Sequence, residues 1–169
     1  MSSLFTSYCL DTNVLIQAWN TYYSPKFCPD YWKVLDELGE QGIIFLPKIV
    51  NDEIIKVDDN LAAWIKNSKI KIHPINTEVT ECLKKINIIN TDHKYLVSEN
   101  GKHSIADPWV IAHAMEQNAI VVTKEIKDAI TKPTKIKIPH VCHNMNVRWI
   151  DDFQMIDELN IQFSCHIHN

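Results

Sequence analysis

Apolar positions along this chain fall into two kinds of pattern. Tyr8-Cys9-Leu10, Ile43-Ile44-Phe45-Leu46, Ile70-Lys71-Ile72 and Ala119-Ile120-Val121-Val122-Thr123 are short β-branched or aromatic runs. Their length and their bounding Asp, Gly and Pro residues predict buried strands. Between them the period lengthens to that of a helix. Helices are predicted from Asn13 to Trp19, from Pro29 through Leu38, from Lys48 to Val57, from Leu61 to Asn67 and from Thr77 to Ile89. Tyr31, Val34, Leu35 and Leu38 mark one such face, and Val79, Cys82, Leu83 and Ile86 another.

Asp107 and Pro108 open a further helix, read as N-cap and first helical residue. Its run Trp109-Val110-Ile111-Ala112-His113-Ala114-Met115 is apolar nearly all round and predicts a central helix. Lys135-Ile136-Lys137-Ile138-Pro139 alternates like a short strand. A C-terminal helix spans Asp151 to Leu159, and Ile161-Gln162-Phe163 reads as an edge strand or a tail. The segment from Asn90 to Ser104 is polar and reads as a loop or a frayed helix end. Strands alternating with helices predict an α/β class: a three-layer domain whose central, mainly parallel β-sheet is flanked by helices. One domain is expected over residues 1–169, with 150–169 a C-terminal helix and tail.

Ligands of such sheets bind beyond the C-terminal ends of the strands. Asp11 closes the first strand, and Glu125 follows Val121-Val122-Thr123. Glu53 falls within the apolar face of its helix, a costly place for a carboxylate without a purpose; Asp52 points to the flank. Each acid alone has a plain structural explanation, as a cap, an ion pair or a surface residue. Together, Asp11, Glu53, Asp107 and Glu125 form a set that local explanations do not cover. Gathered carboxylates repel one another and require a cation. Oxygen-only donors favour Mg²⁺ or Mn²⁺.

The bulk numbers leave that reading open. The 169 residues are 46% hydrophobic and 22% charged, values of a globular chain. The net charge of −4 argues against a strongly basic nucleic-acid footprint. Setting the four acids aside leaves seventeen acids against seventeen bases. Lysines gather at 66, 69 and 71 and again at 124, 127, 132, 135 and 137, read as solvated surface or, as a group, as phosphate contacts. Five cysteines without a C-x-x-C pair argue against a disulfide framework. No apolar run is long enough to span a membrane, and the N-terminus lacks the regions of a signal peptide, so a cytoplasmic location is expected. His140, Cys142, His143, Cys165, His166 and His168 lack zinc-module spacing and read as incidental, His113 as a core histidine.

Leu10-Asp11-Thr12-Asn13-Val14-Leu15-Ile16, Glu53, Asp107 with Ile111-Ala112, and Val122-Thr123-Lys124-Glu125 resemble the motifs of the PIN domain family, over about residues 7 to 125. The fourth acid is glutamate where that family more often has aspartate. The chain is also longer than a minimal PIN toxin, chiefly in Asn90–Ser104 and at the C-terminus. The resemblance implies a metal-dependent endoribonuclease. Asp11, Glu53, Asp107 and Glu125 would be its catalytic residues and the ligands of one or two Mg²⁺ or Mn²⁺ ions. Asn13 and Thr123 would support them from behind. It further implies RNA as substrate, a VapC-like role in a toxin–antitoxin pair, a small antitoxin as partner, and a homodimer. The alternatives are an inactive PIN-like module that binds RNA or protein and, more remotely, a phospho-receiver domain. The latter lacks support in the residues: one acid, not two, follows the first strand, and the second strand ends at Pro47.

Overall fold

The computed structural model describes residues 6–97 and 104–167. Five strands form one parallel sheet: β1 (Tyr8–Leu10), β2 (Ile44–Pro47), β3 (Lys71–His73), β4 (Ile120–Val122) and β5 (Trp149–Ile150), in the order β3-β2-β1-β4-β5. Every residue of β1, β2 and β4 is buried, as expected of inner strands covered on both faces. The predicted α/β class with a parallel sheet is what the molecule has.

Among the described residues seven α-helices connect the strands and an eighth follows β5: α1 (Thr12–Asn20), α2 (Pro29–Glu40), α3 (Lys48–Ile55), α4 (Asn60–Asn67), α5 (Thr77–Ile89), α6 (Asp107–Gln117), α7 (Ile138–Asn144) and α8 (Asp152–Glu158). From β1 the chain moves outward through β2 to β3, then returns past β1 to β4 and β5. Right-handed crossovers therefore divide the helices between the two faces. In keeping with this, α3 packs on α1 and α4, while α6 packs on α5 and α7. The all-round apolar α6 lies against β1 and β4, and the Cys9 thiol meets the Val110 carbonyl at 3.5 Å. The reversal of direction sets a switch point between β1 and β4, where such sheets form their ligand crevice.

Registers carry the acids to that crevice. Leu10 pairs with Val122. The next residues, Asp11 and Thr123, therefore emerge side by side, and the Asp11 amide donates to the Val122 carbonyl at 2.9 Å.

Several elements differ from the sequence reading. The Lys135–Pro139 stretch is not a strand. A 3-10 turn covers Pro133–Lys135, and α7 begins at Ile138, with Pro139 in its first turn. The Ile136/Ile138 alternation is genuine burial in an extended entry to that helix. The fifth strand is instead Trp149–Ile150, a two-residue edge too short for periodicity to reveal. Ile161–Phe163 joins no ladder; Phe163 packs on Tyr23 and Tyr31. Thr91–Leu96 is a 3-10 helix that buries His93 and Leu96, while residues 98–103 of the expected loop lie outside the described residues.

Gly39 lets α2 approach the chain just before β3. A Cβ there would stand 2.5 Å from the Ile70 Cα, a backbone atom unable to swing aside. Gly39→Ala is therefore expected to destabilise by about 1–3 kcal/mol through overpacking, despite alanine's better helix propensity. A urea midpoint at or above wild type would contradict this contact.

Candidate functional site

Asp11 stands between β1 and α1 with extended backbone (φ −79°, ψ 152°), and its side chain makes no capping bond to α1. It is wholly buried. Thr123 Oγ1 donates to its Oδ2 at 3.0 Å, but Oδ1 is buried with no hydrogen-bond partner. A carboxylate oxygen in that condition lacks the compensation that buried charge requires.

Asp107 is 3% exposed. It is the first residue of α6, with Ala106 in the cap position. The N-cap assignment drawn from its sequence thus shifts by one residue. Its carboxyl lies at the positive end of the helix.

Glu53 projects from α3. Thr12 Oγ1 donates to its Oε2 at 2.6 Å, and Ser104 Oγ donates to Oε1. Those contacts tie together α1, α3 and the entry to α6. Glu125 lies three residues beyond β4. Its amide donates to Thr123 Oγ1 at 3.2 Å, and its Oε2 accepts from the Ile138 amide at the start of α7, at 2.7 Å. Glutamate's extra methylene gives it this reach.

Electrostatics link the four acids. Burial pushes the Asp11 carboxyl up to about 7; the Thr123 hydroxyl opposes the rise, and the negative fields of Glu125 and Glu53 add to it. Burial pushes Asp107 up to about 9, with the charges of Asp11, Glu125 and Glu53 acting in the same direction. Among the described residues, no three acid, histidine or cysteine side chains already converge as a ready-made ligand set. Glu53 and Glu125 are turned onto protein donors. The donor set nonetheless fits a hard divalent cation in chemistry. Its donors are all oxygen, Asp11 and Asp107 are buried with their carboxyls pushed up by that burial and by the neighbouring acids, and one Asp11 oxygen has no partner.

Asn13 is exposed and makes no bond to Asp11; the hydroxyls of Thr12, Ser104 and Thr123 fill the supporting positions instead. Asp52 and Asp128 pair with Lys48 and Lys137 at the surface, apart from the four acids. His113 is a core histidine bonded to the Trp109 and Pro74 carbonyls. His140 accepts from the Lys137 amide at 3.0 Å. All five cysteines are free, and His168 lies outside the described residues.

One neighbouring cluster has little signature in the local sequence. Asp152, fully buried, takes Lys124 Nζ at 2.7 Å and the Tyr22 hydroxyl at 2.8 Å. Lys124 also lies 4.5 Å from the Phe153 ring centroid and 5.1 Å from that of Tyr22. Burial works against its charge, but Asp152 and Tyr22 outweigh burial and hold its ammonium above the ordinary range. The cluster joins the exits of α1, β4 and β5 beside Glu125. Its one sequence signal was a second acid, Asp152, set between Ile150 and Phe153.

This switch-point sheet, with acids at the ends of β1 and β4 and at the start of α6, has the VapC-like PIN fold. Solved structures share the fold, three among them as follows. One is VapBC2 from Rickettsia felis bound to a DNA fragment from its promoter (TM-score 0.56, 18% identity, covering 86% of this chain and 98% of that one). Another is VapBC-1 from nontypeable Haemophilus influenzae (0.52, 18%, 86% and 98%). The third is DNA-bound VapBC from Salmonella typhimurium (0.50, 13%, 87% and 98%). The model of a domain of unknown function, DUF4411, matches residues 8–163, and the chain belongs to that family. No curated protein matches it.

Proposed function

We propose that this protein is a metal-dependent endoribonuclease, the toxin of a VapBC-like toxin–antitoxin pair acting in the cytoplasm. The observation that carries the reading is the buried, partnerless Asp11 Oδ1 within the mutual field of Glu53, Asp107 and Glu125. Asp11, Glu53, Asp107 and Glu125 would hold the cation. When bound, Mg²⁺ or Mn²⁺ supplies Lewis-acid activation of water and neutralises charge at the phosphodiester. Thr123 fixes the orientation of Asp11, Thr12 and Ser104 fix that of Glu53, and the Ile138 amide fixes that of Glu125. Asp11 and Asp107 surrender their protons to solvent as the site loads, so Mn²⁺ affinity rises with pH. The PIN fold and the VapBC context of its structural neighbours support an antitoxin partner. Among the described residues, no helix is long and apolar enough to cross a membrane, which agrees with the proposed location.

Cleavage of a mixed RNA pool is expected from wild type with Mn²⁺, and neither with EDTA nor from Asp11→Asn. The engaged state of Glu53 and Glu125 favours a second reading, a PIN module that binds without cutting. Absence of both cleavage and Mn²⁺ binding would select it.

A further inference from the structure

Beyond Glu125, between the exits of β4 and β5, lies a cavity of about 320 Å³. That is within the range of small-ligand pockets, roughly 300–1,000 Å³. Thr123, Glu125, Ile126, Lys127, Trp149 and Gln154 line it. We infer that this cavity is a subsite for a nucleotide of single-stranded RNA, its base lying on the Trp149 indole and its backbone meeting Lys127. The inference rests on the nuclease reading, because it shares Thr123 and Glu125 with the acid site.

Trp149 is half-buried, and its backbone is fixed in the sheet by pairing with Val121. His143 stands edge-on to the indole at 6.4 Å. The ring is therefore a fixed platform. Every nucleobase has a π-face to lay on such a platform, and stacking is sequence-tolerant. Ile126, on the rim, is 75% exposed and adds apolar contact.

Charge points the same way. Lys127 forms no ion pair among the described residues, and its ammonium stands 6.0 Å from the Trp149 ring centroid. At that range it is held weakly and is free to meet a phosphate. Lys132 and Lys135 follow on the same exposed loop. The acids of the cavity are committed to protein donors. Asp151 accepts from the Gln154 amide at 2.8 Å, and Glu125 accepts from the Ile138 amide. A strand whose base occupies this cavity presents its neighbouring phosphate to the four acids.

The test is fluorescence anisotropy of a labelled, mixed-sequence RNA octamer on the full chain, with Ca²⁺ offsetting the acids' charge. Trp149→Ala is expected to weaken binding about tenfold or more, and Trp149→Phe by no more than about threefold. Lys127→Ala should lower the slope of log K against log salt by about 0.7, the share of one single-strand phosphate contact. Lys127 is exposed, so this variant tests the inference even if Trp149→Ala fails to fold. Wild-type affinity and salt slope in all variants, or no binding by wild type, would overturn the subsite. Trp149-dependent binding without Mn²⁺-dependent cleavage would keep the subsite and remove the nuclease reading. Cleavage with KM unchanged in Trp149→Ala and Lys127→Ala would do the reverse.

Discussion

Metal-free Asp107→Asn is expected to melt above wild type at pH 8, and to have lost both Mn²⁺-dependent stabilisation and at least about a hundredfold of cleavage activity. Most substitutions of a buried polar residue lower stability. This one removes a carboxyl that the metal-free fold keeps buried only by holding its proton against the solution pH. The sign follows from linkage. The folded chain keeps the Asp11 proton up to about pH 7 and the Asp107 proton up to about pH 9, whereas the unfolded chain has released both above about pH 4. Metal-free stability therefore falls as pH rises across those windows. The advantage of Asp107→Asn should grow in parallel; it should shrink toward pH 5 and vanish near pH 4, where the unfolded chain keeps that proton too. Adding Mn²⁺ should reverse the ranking by raising only the wild-type melting temperature. Thermal melts at pH 5, 6.5 and 8, with Mn²⁺ and with EDTA, contain the whole comparison. A variant that melts below wild type at pH 8, with an undiminished response to Mn²⁺, would remove Asp107 from the site.

Asp152→Ala should have the opposite effect, lowering the melting temperature by roughly 6–20 °C. The substitution leaves Lys124 with its ammonium largely buried and its anionic partner gone, and the Tyr22 hydroxyl loses its acceptor. Breaking such a pair from one side typically costs about 3–5 kcal/mol, and a domain of this size loses about 2–4 °C per kcal/mol. Pairing it with Lys124→Met should recover much of the loss, because the double variant no longer buries a lone charge. Scanning calorimetry of both single variants and the double variant measures this directly. Equal losses that simply add would show that the two side chains do not act together.

The inner strands were legible because their burial on both faces leaves a continuous apolar signature. That signature ends at Asp11 and at Thr123, which also located half of the acid site. The helix from Thr77 to Ile89 was legible for a similar reason, through an unbroken face of Val79 and Ile86. The C-terminal third was not. Ile136 and Ile138 alternate as a strand would, and only the tertiary position of Pro139, inside a first helical turn, separates the two outcomes. Trp149–Ile150 acquires strand character solely from the Arg148 and Ile150 carbonyls accepting the amides of Val121 and Thr123, which local sequence does not encode. The same limit hid the hydroxyls of Thr12 and Ser104. Both reach Glu53 across more than forty positions of chain, and no spacing rule connects them.

The sheet order has a consequence for synthesis. Two of the four acids, Asp11 and Glu53, leave the ribosome early, whereas Asp107 and Glu125 follow much later. The central strand β1 waits for β4, over a hundred residues downstream, to cover its second edge. Glu125 receives its amide only from Ile138. A chain still being translated thus cannot hold all four acids in place until Ile138 has emerged. Parallel topology by itself delays assembly of the acid cluster.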